Sequence, residues 1–149
     1  MIREANPDDF NAVMLLYRQL LPDDPVLRDG SDRAAFETIL RTPSLTLFVL
    51  EREGELVATT YLNVIPNISR SASPYAVVEN VVVEQSLRGR GLGRQIMAAT
   101  LDAAWAAGCY KAMLATGSKN PATHAFYLAC GFVAGAKTSY LARPPAPVV

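Results

Sequence analysis

A chain of 149 residues has the length of one compact domain. Half of its residues are hydrophobic and 19% are charged, ordinary for a soluble protein, and a formal net charge of zero gives no field-driven pull toward nucleic acid or anionic membrane. Two cysteines (Cys109 and Cys130) and one histidine exclude a disulfide scaffold and any metal site built on CxxC spacing. Both cysteines read as small buried hydrophobes.

The N-terminus carries Glu4, Asp8 and Asp9 and no long apolar run, so it does not read as a signal peptide. No later segment has the length of a membrane span, and the chain reads as soluble and cytoplasmic. Asn6, Pro7, Asp8 and Asp9 form a helix start: a cap, a first-turn proline, and acids against the helix dipole. Phe10, Val13, Met14, Tyr17 and Leu21 then recur at helical spacing, until Pro22 and Pro25 end the run. A second helix is expected over 32–40, capped by Ser31 or Asp32, with Phe36, Ile39 and Leu40 inward.

From Leu45 the texture changes. Strands are expected over 45–51 and 56–65, joined by a hairpin turn at Arg52-Glu53-Gly54-Glu55. Residues 66–74 are polar and loop-like. Residues 75–84 form a strand whose Val77-Val78 and Val81-Val82-Val83 suit burial on both faces. A helix over 91–107 follows, with Leu92, Ile96, Leu101, Ala104 and Trp105 inward and Gly108 as its C-cap. A strand over 110–116 and a helix over 121–130 come next, and 132–134 and 138–142 suggest two short closing strands. The proline-rich tail from Pro144 is expected to fray. The order β-α-α-β-β-β-α-β-α-β-β gives an α+β fold with a mixed, mostly antiparallel sheet and helices on both faces.

The segment Arg88-Gly89-Arg90-Gly91-Leu92-Gly93, followed by Arg94, joins a buried strand to a helix. Such a turn suits phosphate: glycines let the backbone approach closely, helix-start N–H groups point at the anion, and three arginines add charge. A P-loop is excluded because no Gly-Lys-Ser/Thr ending is present. A dinucleotide fingerprint is excluded because G-x-G-x-x-G fails at Arg94 or Ile96, and the next strand ends Leu114-Ala115-Thr116 without a ribose-binding acid.

Val81-Val82-Val83 leading to Arg88-Gly89-Arg90-Gly91-Leu92-Gly93 resembles the acetyl-CoA motif of the GNAT N-acetyltransferase superfamily, R/Q-x-x-G-x-G/A after a strand. A second GNAT pattern, N-x-x-x-x-x-[LF]-Y-x-x-x-G-F, is matched by Asn120, Phe126, Tyr127, Gly131 and Phe132, in the right order and spacing. The resemblance implies a single N-acetyltransferase domain over 1–149, with acetyl-CoA as cosubstrate, no metal and a small amine as acceptor. It implies that Val81, Val82 and Val83 lie along the pantetheine and that Arg88 through Arg94 hold the pyrophosphate. Tyr127 resembles the family's general acid for the departing thiolate, and Asn120 is expected to bond the pantetheine or cap the helix before Pro121.

Glu79 is an acid inside an apolar strand, costly unless it is solvated or has a task. It reads as the base for the attacking amine, as an ammonium-binding charge, or as a structural hydrogen-bonder. His124 reads as an exposed helix residue. Val78-Glu79-Asn80-Val81-Val82-Val83 and Gly108-Cys109-Tyr110-Lys111 are similar to stretches of glucosamine-6-phosphate N-acetyltransferases, but an aspartate of those enzymes is Asn80 here. An amino-sugar phosphate, a protein lysine or an N-terminal amine therefore stand as alternative acceptors, and a non-catalytic acyl-CoA sensor as an alternative class. Nucleic acid and membrane are not expected as partners, and a homodimer accords with family habit.

Overall fold

Four strands that each pair with the next in sequence, then one crossover, build the sheet. The computed structural model describes residues 1–146. Their contacts separate a unit of residues Met1–Leu114 from a second that begins at Ala115. In the first, β1 (Ile2–Glu4) precedes a 3-10 turn (Pro7–Asp9), α1 (Phe10–Leu20) and α2 (Ser31–Arg41). β2 (Leu45–Arg52), β3 (Glu55–Ile65), a single turn α3 (Ser69–Ala72) and β4 (Tyr75–Val83) follow. After a 3-10 turn at Gln85–Leu87 come α4 (Leu92–Ala106) and β5 (Ala112–Met113). The sheet order is β1-β2-β3-β4-β5, antiparallel through β4, with β5 parallel to β4.

The expected helix start is realised and reinforced. Asn6 accepts the Asp8 amide at 2.9 Å, and the Asp9 carboxylate accepts the Asn6 amide at 2.7 Å. Arg3 of β1 grips Asp9 with two bonds of 2.6 and 2.9 Å and reaches Glu51 of β2 at 3.1 Å. The Arg3 guanidinium, and the Asn6 amide after it, hold the Asp9 carboxyl below its ordinary value of 3.8, although burial opposes them. A depressed carboxyl stabilises the fold at pH values above its unfolded pKa, and that contribution is lost as pH falls through the lower folded pKa. Asp9→Asn is thus expected to cost about 2 kcal/mol at neutral pH, as a charged hydrogen bond and a cap are lost together. Urea titrations should show that deficit constant from pH 8 to pH 5 and shrinking below about pH 4. A deficit unchanged in acid would sink the linkage.

Glu53 and Gly54 both have positive φ (54° and 83°), which matches the twist of the β2–β3 hairpin. Helices cover both sheet faces. Phe10 and Val13 of α1 and Phe36 of α2 pack with Leu47 and Val49 on one face, while Leu92 and Ile96 of α4 pack with Leu50, Val57 and Ala58 on the other. The α4 face also holds a fully buried hydroxyl pair, Thr60 and Thr100, at 2.6 Å.

Several expectations change. Trp105 is 48% exposed; Met97 and Thr100 fill the inner stripe of α4 instead, beside the expected Leu92, Ile96 and Ala104. The strand expected over 110–116 shortens to two residues. Gly30, with φ +80°, is the N-cap of α2, and Ser31 is its first residue, tied to Asp29. The loop 66–74 contains α3, where Arg70, Ser71 and Ala72 all take left-handed conformations (φ 56°, 59° and 58°). Each such residue costs about 1–2 kcal/mol relative to the right-handed form.

In the second unit, α5 (Pro121–Ala129) begins at the expected proline and ends before Gly131, whose φ is +95°. The closing strands expected over 132–134 and 138–142 are absent among the described residues. Val133, Tyr140 and Leu141 are 79%, 93% and 79% exposed, so these short apolar runs bury no face and gain nothing from extended pairing. Of the proline-rich tail, 144–146 have no regular structure and 147–149 lie outside the described residues.

Candidate active site

The glycine turn is built as a phosphate cradle would be. Gly89 and Gly91 both have positive φ (77° and 79°), and Gly91 serves as the N-cap of α4. A Cβ at either position would meet nothing within 4 Å, so the glycines serve the backbone shape and the open space before it. The first amides of α4 have no intrahelical acceptor and point outward from the helix start. Leu92 and Gly93 are buried beneath and fix the helix end to the sheet, while Arg88, Arg90 and Arg94 are exposed. Arg88 donates from Nε to the Val83 carbonyl at 3.1 Å.

The entry to this turn is held from α1. Gln19 donates to Glu84 at 2.7 Å and accepts the Gln85 amide at 2.9 Å. Its hydrogen bond, together with the Ser86 amide, keeps the Glu84 carboxyl below its usual value.

The strand before the turn is interrupted. Thr59 pairs with Val82 and Tyr61 with Glu79, so Thr60 faces two residues, Asn80 and Val81. This is a β-bulge, with Asn80 at φ 50°. On the other edge, β5 pairs only with Ala76 and Val77. From Val78 to Val83 the β5-side edge of β4 has no ladder partner among the described residues. The ladder with β5 ends at Val77, three residues before the bulge, where added local twist is expected.

Glu79 sits immediately before the bulge and is exposed, so solvent offsets the cost of a charge in this strand. It borders a shallow groove of about 400 Å³ with Asn63, Ile65, Pro66 and Val77. Val82 is buried, while Val81 and Val83 are half-buried. Tyr17 of α1 meets Asn80 through a side-chain hydrogen bond; burial pushes its phenol up to about 12, and the Asn80 bond partly opposes the rise. Burial also raises the Tyr61 phenol. Both rings stay protonated at neutral pH. Sequence reasoning placed Tyr17 in the helix stripe and missed this role. The available clue was Asn80, an αL-tolerant residue among valines.

In the second unit, Asn120 caps α5: its Oδ1 accepts the Ala122 amide at 2.9 Å. Tyr127 is half-buried, its ring 5.1 Å from Phe126 and edge-on to Phe132 at 6.2 Å. Phe126 is half-buried as well. His124 is exposed, with Nε2 2.7 Å from the Ser118 carbonyl. Cys109 is buried and its thiol pushed up by desolvation, while Cys130 is half-buried. Among the described residues, no group of three His, Cys, Asp or Glu side chains is placed to hold a metal. No helix among them is long and apolar enough to cross a membrane.

A sequence profile described as the acetyltransferase (GNAT) family matches residues 12–132, most of the chain and both motifs. The chain belongs to the GNAT family. It is similar to glucosamine 6-phosphate N-acetyltransferase 1 of Oryza sativa subsp. japonica, 32% identical over 121 residues, covering 79% of this chain and 71% of that one. Among solved structures, a putative acetyltransferase from Agrobacterium tumefaciens str. C58 is 44% identical with a TM-score of 0.91, over 97% of this chain and 99% of that one. The glucosamine-6-phosphate N-acetyltransferase of Arabidopsis thaliana superposes with a TM-score of 0.81 at 25% identity, over 97% of each chain. The GNAT fold is thus an α+β mixed sheet with helices on both faces, and the protein is an N-acetyltransferase by family.

Proposed function

We propose that this GNAT enzyme moves the acetyl group of acetyl-CoA onto the primary amine of a small molecule by direct attack on the thioester. On this reading 1–149 act as one catalytic domain. The observation that carries it is the second half of β4. An unpaired strand edge at Val81–Val83 runs into a turn whose left-handed glycines open a helix start. An extended pantetheine can pair with such an edge as an added strand would, and the pyrophosphate then meets the amides and arginines of 88–94. Strand amides beside the bulge are suited to polarise the thioester carbonyl.

Tyr127 supplies the proton for the departing thiolate. Glu79, exposed at the bulge, takes the proton of the acceptor's ammonium directly or through water so that the neutral amine attacks, or holds the ammonium by its charge. Asn120 commits its Oδ1 to the helix cap, leaving its amide nitrogen for the pantetheine.

Free-thiol detection with acetyl-CoA and a panel of amines, amino sugars, peptides and antibiotics tests the reading. CoA release with a small amine is expected. Tight acetyl-CoA binding with no acetylation across the panel would turn the reading toward a non-catalytic sensor. The rice and Arabidopsis relatives favour including glucosamine 6-phosphate, while Asn80 argues against it as the preferred acceptor.

A further inference from the structure

The end of β4 farthest from the glycine turn carries a cluster that the proposed chemistry leaves unused. Tyr75 opens β4, and Tyr110 and Lys111 lead into β5. The Tyr110 amide bonds the Pro74 carbonyl at 3.0 Å and the Ala76 amide bonds the Lys111 carbonyl at 2.9 Å, so the two segments are clamped together. The tyrosine rings meet edge to face at 6.5 Å. The Lys111 ammonium lies 5.3 Å from both ring centroids, and the Arg70 guanidinium lies 5.7 Å from that of Tyr110.

Two like charges gathered at one ring repel each other. Among the described residues neither has a carboxylate partner; the ion pairs there join Arg3 to Asp9 and Glu51, and Arg41 to Glu37. Arg70 is also delivered by a strained segment. It is the first of three successive non-glycine residues in the left-handed region, a turn that Asn67 braces by donating to the Ser69 and Ser73 carbonyls at 3.0 and 3.2 Å. A strained turn that brings a second cation to the Tyr110 ring, with no carboxylate beside either cation among the described residues, is an arrangement suited to a negative charge.

The cluster's position says which molecule would carry that charge. Tyr75, Val77 and Glu79 alternate onto one face of β4. The groove bordered by Ile65, Pro66, Val77 and Glu79 extends from Glu79 toward the cluster as far as Ile65, the register partner of Tyr75. Glu79 lies four residue steps along the strand from Tyr75, about 13 Å. We propose that Arg70 and Lys111, over Tyr75 and Tyr110, anchor an oxyanion carried by the acceptor at the far end from its reacting amine. The inference rests on the amine-acetylating reading above. It adds that the acceptor is an elongated amine with a terminal carboxylate or phosphate, longer than an aminohexose phosphate.

Matched acceptors test it: 8-aminooctanoate and 8-aminooctyl phosphate against octylamine, and glucosamine 6-phosphate against glucosamine. In the wild type, kcat/KM for the long anionic acceptors should exceed that for octylamine by about tenfold or more, through KM, with little discrimination in the glucosamine pair. Which long acceptor leads separates carboxylate from phosphate. The ratio should fall to near one in Arg70→Gln/Lys111→Gln and partway in Arg70→Gln alone, a change at an exposed position that keeps the tyrosine pair. A wild-type ratio near one, or a ratio unchanged in both variants, overturns the anchor while leaving acetyl transfer intact. No CoA release with any amine overturns the acetyl-transfer reading and the anchor with it.

Discussion

Replacing Tyr127 with phenylalanine is expected to lower kcat by about a hundredfold or more, the worth of a placed general acid. The affinity for acetyl-CoA should change little. The substitution isolates the hydroxyl because the ring keeps its neighbours, Phe126 at 5.1 Å and Phe132 at 6.2 Å. The Tyr127 carbonyl still accepts the Cys130 and Phe132 amides, which close the end of α5 whatever the side chain. Steady-state thiol release against pH is the measurement, and a kcat within twofold of wild type throughout would remove Tyr127 from the mechanism.

The second large effect is expected at Gly91. Valine there should raise KM for acetyl-CoA by about tenfold or more and weaken the fold by about 1–2 kcal/mol, the cost of a left-handed residue with a Cβ. For a chain of this length that corresponds to a melting temperature lower by about 3–6 °C. The penalty is conformational: the backbone has φ +79°, and a Cβ meets no protein atom within 4 Å. Asparagine tolerates this region far better, so Gly91→Asn should recover most of the lost stability. If it recovers stability but not affinity, the side chain itself obstructs the ligand, and the open space before α4 is the pyrophosphate site. If both variants bind acetyl-CoA like wild type, that site lies elsewhere.

Features set by periodicity and turn chemistry were legible in the sequence. The α1 stripe, the Glu53-Gly54 hairpin and the strand–glycine–helix passage at 81–94 each rest on several residues that agree. What stayed hidden depends on partners distant in sequence or on one residue's backbone. The bulge is a single φ at Asn80 inside a run that reads as unbroken strand. The β5 cut to Ala112–Met113 likewise appears only where two strands fail to pair. Trp105 looks like a core residue by hydrophobicity, yet Met97 and Thr100 occupy the positions that face the sheet. The apolar stretches after Gly131 have β propensity, but propensity without a buried face does not make a strand. For the site, the motifs pointed to Tyr127, Asn120 and the arginine loop. The Tyr17–Asn80 bond and the left-handed turn at Arg70 carried no pattern of their own, since both depend on contacts with residues distant in sequence or on local backbone conformation.

The divided pairing of β4 has a consequence for the protein's behaviour in solution. Its first half is sealed into the sheet, while its second half presents a valine-rich edge with no ladder partner on the β5 side among the described residues, only its Val83 carbonyl being met by Arg88. Such an edge will pair with any extended chain that reaches it, and proteins ordinarily shield it with charge, proline or a covering element. Here the shield would be a metabolite. The protein's resistance to self-association would then follow the supply of its cosubstrate, with the starved protein the more prone to clump.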